Sequence, residues 1–138
     1  MQINPTSPPA LEGKGTALSC LGNYDEAIIV EDQFLQTQPD KVSQVLTLTE
    51  KGSNLLHLKR FDEAIQSYDA ALNQDPSNVE ALIGKGAALA GGNRYNEAIA
   101  SFDQALQIEP NNQRTFTLRA LILRLVQCHE EPPSYRCS

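Results

Sequence analysis

Apolar and small residues recur along the chain at intervals of three and four. Leu11, Gly15 and Leu18 are echoed by Leu48, Gly52 and Leu55, and again by Leu82, Gly86 and Leu89. The spacing i, i+4, i+7 marks one face of an α-helix. A second series follows each of these: Ala64, Ile65, Tyr68, Ala71 and Leu72, with counterparts in the next unit. Between the two series lies a short polar turn, at Gly22-Asn23, Lys59-Arg60 and Gly91-Gly92-Asn93-Arg94. Pro39, Pro76 and Pro110 close the units, and a proline just past a helix cannot continue it. The pattern therefore predicts pairs of helices, each with one apolar face.

The pairs are copies of one another. Phe61 to Leu72 aligns with Tyr95 to Leu106 at a constant offset of 34 residues. A third copy lies upstream, in Tyr24-Asp25-Glu26-Ala27-Ile28, then Leu35 and Pro39. Five residues, Asp40 to Gln44, follow Pro39 where only Ser77 and Asn78 follow Pro76. On these residues the chain resembles the tetratricopeptide (TPR) repeat family. The expected division is an N-terminal tail at 1–7 and a degenerate first repeat with an inserted linker at 8–44. Repeats follow at 45–78 and 79–112, then a capping helix or partial fourth repeat at 113–129 and a tail at 130–138. The resemblance implies an all-α, right-handed superhelix of three helix-turn-helix repeats plus a C-terminal capping helix. It also implies a concave groove lined mainly by the first helix of each pair. One pair alone cannot bury its apolar face, so stacking makes the core.

Three departures stand out. Glu31 occupies the place of Tyr68 and Phe102, while Phe34 occupies that of Ala71 and Ala105. Large and small have traded places. That reads either as volume compensation, with Phe34 filling the space Glu31 leaves, or as decay at the end of an array. Lys14, Lys51 and Lys85 directly precede the three glycines, and Arg119 takes the same place further on. Such a ladder either reads a ligand carboxylate, or packs its stems on the helix pair and sends its charges to water or a neighbouring acid. The last helical segment carries Leu118, Leu121, Ile122, Leu125 and Val126 around much of its circumference, an expected self-association surface.

Composition narrows the function. The 138 residues carry 17 acidic and 11 basic side chains, net −6, which disfavours nucleic-acid binding. No apolar stretch approaches membrane-spanning length, so no membrane partner is expected, and the N-terminus lacks the pattern of a leader. Three cysteines, Cys20, Cys128 and Cys137, are too few for a disulfide framework and point to a reducing, cytoplasmic setting. Catalytic signatures for hydrolases, metalloproteases, nucleotide or dinucleotide binding are absent, so no enzyme activity and no cofactor is expected. Cys20 with His57, and Cys128 with His129 and Cys137, lack the spacing of a zinc site, so no metal is expected. The acid pairs Asp25-Glu26 and Asp62-Glu63, with Asn96-Glu97, sit where helix starts favour negative charge and capping side chains.

What remains is the groove. The residues expected to line it are Glu12, Thr16, Ser19, Thr49, Ser53, Leu56, His57, Glu80, Ile83, Ala87 and Ala90. They are mostly small, neutral or apolar, with acids towards one end. Some members of the family clamp an acidic peptide C-terminus with Lys, Asn and Arg. The matching places here hold Glu12, Thr16, Glu50, Ile83 and Ala87, and none fits. The expected function is a scaffold or adaptor that holds a peptide or partner protein, with a self-associating structural repeat, or a fragment of a longer array, as the alternative.

Overall fold

The computed structural model describes residues 8–130, with the side chains of 10–128; the expected tails at 1–7 and 131–138 lie outside the described residues. Seven α-helices fill the described chain: α1 (Pro8–Cys20), α2 (Tyr24–Gln36), α3 (Lys41–His57), α4 (Phe61–Gln74), α5 (Val79–Gly91), α6 (Tyr95–Ile108) and α7 (Gln113–Glu130). Glu130 ends α7 instead of opening a tail.

Each helix pair turns in the same way. Gly22, Lys59 and Asn93 hold φ of 81°, 60° and 64°, the left-handed conformation that ends a helix. The next amide then reaches back five residues, from Asn23 to Leu18, Arg60 to Leu55 and Arg94 to Leu89, at 2.9, 2.9 and 2.8 Å. These bonds satisfy carbonyls that a helix end would otherwise leave without a partner. The following helices start with acids in their first turns, Asp25 and Glu26, Asp62 and Glu63, and Glu97. Those acids are not caps. The capping positions belong to Asn23, Arg60 and Arg94, none of which caps through its side chain. Arg60 and Arg94 instead reach forward to Glu63 and Glu97, at 2.5 and 2.6 Å.

The segment Asp40–Gln44, expected as an inserted linker, is the start of α3. Asp40 caps the helix by accepting from the Ser43 amide, and Lys41 to Gln44 form its first turn. The cap lets the extra residues continue the helix, where a loop would leave amides unpaired.

Stacking supplies the core. Tyr68 and Phe102 are buried at the centre of one apolar cluster that runs from Ile28 to Ile122. Each ring lies where a first-helix glycine leaves room: a Cβ on Gly52 would stand 2.8 Å from Tyr68, and one on Gly86 2.6 Å from Phe102. A smaller cluster of Leu11, Val30 and Phe34 closes the N-terminal pair. Glu31 does not leave a space for Phe34 to fill. It is itself only 3% exposed, and its Cγ lies 3.4 Å from where a Gly15 Cβ would be. The carboxylate thus takes the aromatic's place beside the first glycine.

Candidate functional site

Helices α1, α3, α5 and α7 touch one another in turn, whereas α2, α4 and α6 touch only members of that first series. The side on which successive helices meet is the inside of the curve. The concave face is therefore built from α1, α3, α5 and α7.

The basic ladder is spent on holding the stack. Lys51 pairs with Asp32 at 2.5 Å, Lys85 with Asp69 at 2.7 Å and Arg119 with Asp103 at 2.5 Å. Each joins a first helix to the second helix before it. Of the two readings of the ladder, the geometry supports the neighbouring acid for these three residues.

The expected groove residues are not equally available. Glu12, Thr16, His57 and Glu80 are exposed; Ser19, Thr49, Ser53, Leu56, Ala87 and Ala90 are half-buried. Ile83 is a correction. It is 2% exposed and belongs to the core, because α5 is flanked on both sides by first helices that cover it. Glu50 of α3, exposed and close enough to feel Glu12 and Thr16 of α1, is absent from the expected groove residues.

Polarity on this face is one-sided. Thr16 Oγ1 donates to the Glu12 carbonyl at 3.1 Å, Ser19 Oγ to Gly15 at 3.1 Å, and Thr49 Oγ1 to Val45 at 2.8 Å. A hydroxyl has one proton, so these groups turn acceptor lone pairs outward. Glu12, Glu50 and Glu80 are acceptors too when ionised. Tyr68 passes between Gly52 and Gly84 to meet Ser53, and burial pushes its phenol up to about 12, so it stays protonated. His57 is fixed by its own helix, with Nδ1 2.8 Å from the Ser53 carbonyl, and by Tyr24, stacked on it at 4.6 Å.

The acids at the N-terminal end are coupled. Burial, then the charge of Glu12, raises the Glu50 carboxyl above its ordinary value, against a hydrogen bond from Thr16. The buried Glu31 is raised to about 7, by burial first, then by Glu50 and Asp32, against Asn54 and Lys51. Asn54 donates to Glu31 Oε1 at 2.7 Å, while Oε2 is buried with no hydrogen-bond partner among the described residues.

On α7, Leu121 is 50% and Leu125 42% exposed, but Ile122 is 8% exposed in the core. Leu118 packs on the same core and Val126 is half-buried. The expected self-association helix thus turns part of its apolar surface inward, onto α6. Cys20 carries a free, exposed thiol, whereas Cys128 is disulfide-bonded, which a reducing setting does not predict. The grouping of Cys128 with His129 and Cys137 involves side chains outside the described residues. Among the described residues no cluster of metal-ligating side chains occurs, and no helix is long and apolar enough to cross a membrane.

Comparison with known proteins agrees with this geometry. Residues 49–113 match the tetratricopeptide repeat family. The first TPR domain of the human RPAP3 protein superposes with a TM-score of 0.82 at 25% identity, over 92% of this chain and 98% of that one. The first TPR of Spaghetti (RPAP3), bound to the HSP90 peptide SRMEEVD, gives 0.79 at 24%, over 90% and 98%. The Hsp90 co-chaperone Cns1 from Saccharomyces cerevisiae gives 0.86 at 22%, over 89% of this chain and 40% of that one. No curated protein sequence matches the chain.

Proposed function

This chain belongs to the tetratricopeptide repeat family, and we propose that it is a non-catalytic scaffold or adaptor that holds a peptide or partner protein in its concave face. The observation that carries this reading is the arrangement of α1, α3, α5 and α7 as one continuous inner surface of small, half-buried side chains. Such a surface admits an extended or helical segment with small apolar anchors, and recognition then rests on shape and a few buried contacts. The first TPR of Spaghetti (RPAP3) is bound to the acidic HSP90 peptide SRMEEVD. The face here carries Glu12, Glu50 and Glu80 and outward-facing acceptors, which favours a different, donor-rich segment. Thr49→Arg combined with Ala87→Arg fills the middle of the face with two long charged side chains. Partner capture in a pull-down should fall to background, with helicity by circular dichroism retained. Capture equal to wild type would place the partner elsewhere.

A second reading has its own observation, the exposure of Leu121 and Leu125 on α7. A second copy would cover this pair, and the chain would then be a self-associating repeat domain. Light scattering coupled to size exclusion distinguishes the readings, because self-association needs no second component.

A further inference from the structure

We infer that the seam between α2 and α3 is a proton-dependent hinge: it is closed while the buried Glu31 carboxyl is neutral, and ionisation of that carboxyl parts the first helix pair from the rest of the stack.

The seams of the stack are not built alike. Between α4 and α5, Tyr68 reaches both Gly52 and Gly84, so one ring spans the two sides. Phe102 takes the matching place on α6. In the first helices that follow these aromatics, Ala88 on α5 and Ile122 on α7 share one register and belong to the main apolar cluster. Between α2 and α3 the same two places hold Glu31 and Asn54, each only 3% exposed. Asn54 donates to Glu31 Oε1 at 2.7 Å, a polar bond where the later seams place apolar side chains. The core divides here as well. Leu11, Val30 and Phe34 form a cluster of their own, and among the described residues of α1 and α2 only Ile28 belongs to the main one.

The carboxyl at this seam suits one charge state. Its Oε2 is enclosed with no hydrogen-bond partner among the described residues. An ionised carboxylate accepts at both oxygens, so with one donor it is a buried charge that only entering water can relieve. Water enters when a neighbouring helix moves. The charges around the carboxyl do not supply the missing donor. Asp32 on α2 and Glu50 on α3 add like charge, and Lys51 on α3 is held by Asp32 at 2.5 Å. From α1 it meets Gly15, while the charged Glu12 and Lys14 of that helix are exposed. Helices α1 and α2 share their own cluster, so the seam with α3 is the one that yields. Burial first, with Glu50 and Asp32, holds the closed carboxyl at about 7 against an ordinary 4.5. The closed hinge therefore keeps a proton that the open one releases, and opening should grow as pH rises between those values and level off above them. Opening carries Glu12, Thr16 and Ser19 away from α3; that consequence alone rests on the groove reading.

The test is amide hydrogen exchange followed by NMR at pH 5 and pH 8, in low urea, with rates converted to protection factors so that faster chemical exchange at high pH cancels. Protection in α1 and α2 should fall by roughly 10–100-fold between the two pH values. At pH 8 it should lie below that of α5 and α6 and respond less to urea, the mark of a partial opening. The midpoint of the loss should coincide with the carbon-detected titration of the Glu31 carboxyl. Glu31→Gln, neutral at both pH values, should leave protection of α1 and α2 independent of pH. Unchanged protection in the wild type, protection and urea response equal to those of α5 and α6 throughout, or a pH-dependent loss that persists in Glu31→Gln overturns the hinge. If that variant does not fold, the two wild-type midpoints decide: agreement supports the hinge and disagreement overturns it. No partner enters the measurement, so the hinge and partner capture stand or fall separately.

Discussion

Glu31 is an acid in an aromatic's place, and its chemistry follows from that address. Burial of a carboxylate favours its protonated form, which calls for fewer donor partners and carries no charge into the core. The folded chain therefore holds a proton that the unfolded chain releases from about pH 4.5 upward, until the folded group itself ionises near 7. Stability should fall as pH rises through that window and level off above it, by on the order of 1–3 kcal/mol. Thermal unfolding at pH 5 and pH 8 measures this. Glu31→Gln should flatten the profile and raise the midpoint at pH 8; an unchanged slope would place the titration elsewhere. The glycines give a paired prediction. Gly86→Ala drives a Cβ to 2.6 Å from Phe102 and should cost ~1–3 kcal/mol, as overpacking of a filled core does. Gly13→Ala, on the same kind of helix but with nothing within 4 Å, should gain up to about 1 kcal/mol from helix propensity. Denaturant unfolding of the two variants reads both signs. The sequence showed that Glu31 and Phe34 were exchanged. It did not show that Glu31 would be enclosed, because a partner such as Asn54 lies 23 residues away and becomes a neighbour only when α2 and α3 stack.

At the scale of the element, the turns show how local rules and the array agree. The left-handed residue recurs at Gly22, Lys59 and Asn93, and only the middle one is neither glycine nor asparagine. A side chain with Cβ is strained there by roughly 1–2 kcal/mol. Lys59→Gly should therefore raise stability by about 1 kcal/mol, less whatever glycine costs in unfolded-chain entropy. Chemical denaturation checks this, and a loss would mean the Lys59 side chain contributes more than its exposure suggests. Helix existence was legible from periodicity in all seven cases. The start of α3 was not, since Asp40–Gln44 carries no apolar repeat and only the Asp40 cap extends the helix across it. Likewise α7 was legible as a helix, but which of its leucines turn inward depended on α6. Periodicity gives a stripe, whereas the neighbouring helix decides how much of the stripe is covered.

For the whole molecule, the even composition conceals a gradient. Residues 1–112 carry 15 acidic and 7 basic side chains, and 113–138 carry 2 and 4. The exposed Glu12 and Glu50 lie on α1 and α3, while the exposed Leu121 and Leu125 lie on α7. Replacing both leucines with serine should abolish any self-association seen by light scattering and leave partner capture intact, if the two surfaces act independently. The superhelix was legible from the repeat, because a fixed period forces each pair into the same contacts. The face was only partly legible. Ile83 was placed on it and proved to be core, and Glu50 was left off it, because curvature decides which first-helix positions remain open. The central claim is that the concave face captures a partner. Affinity purification with mass spectrometry, run side by side on the wild-type chain and on Thr49→Arg with Ala87→Arg, tests it most directly. The account predicts a partner enriched on the wild type and absent from the folded variant; the same partners on both would contradict it.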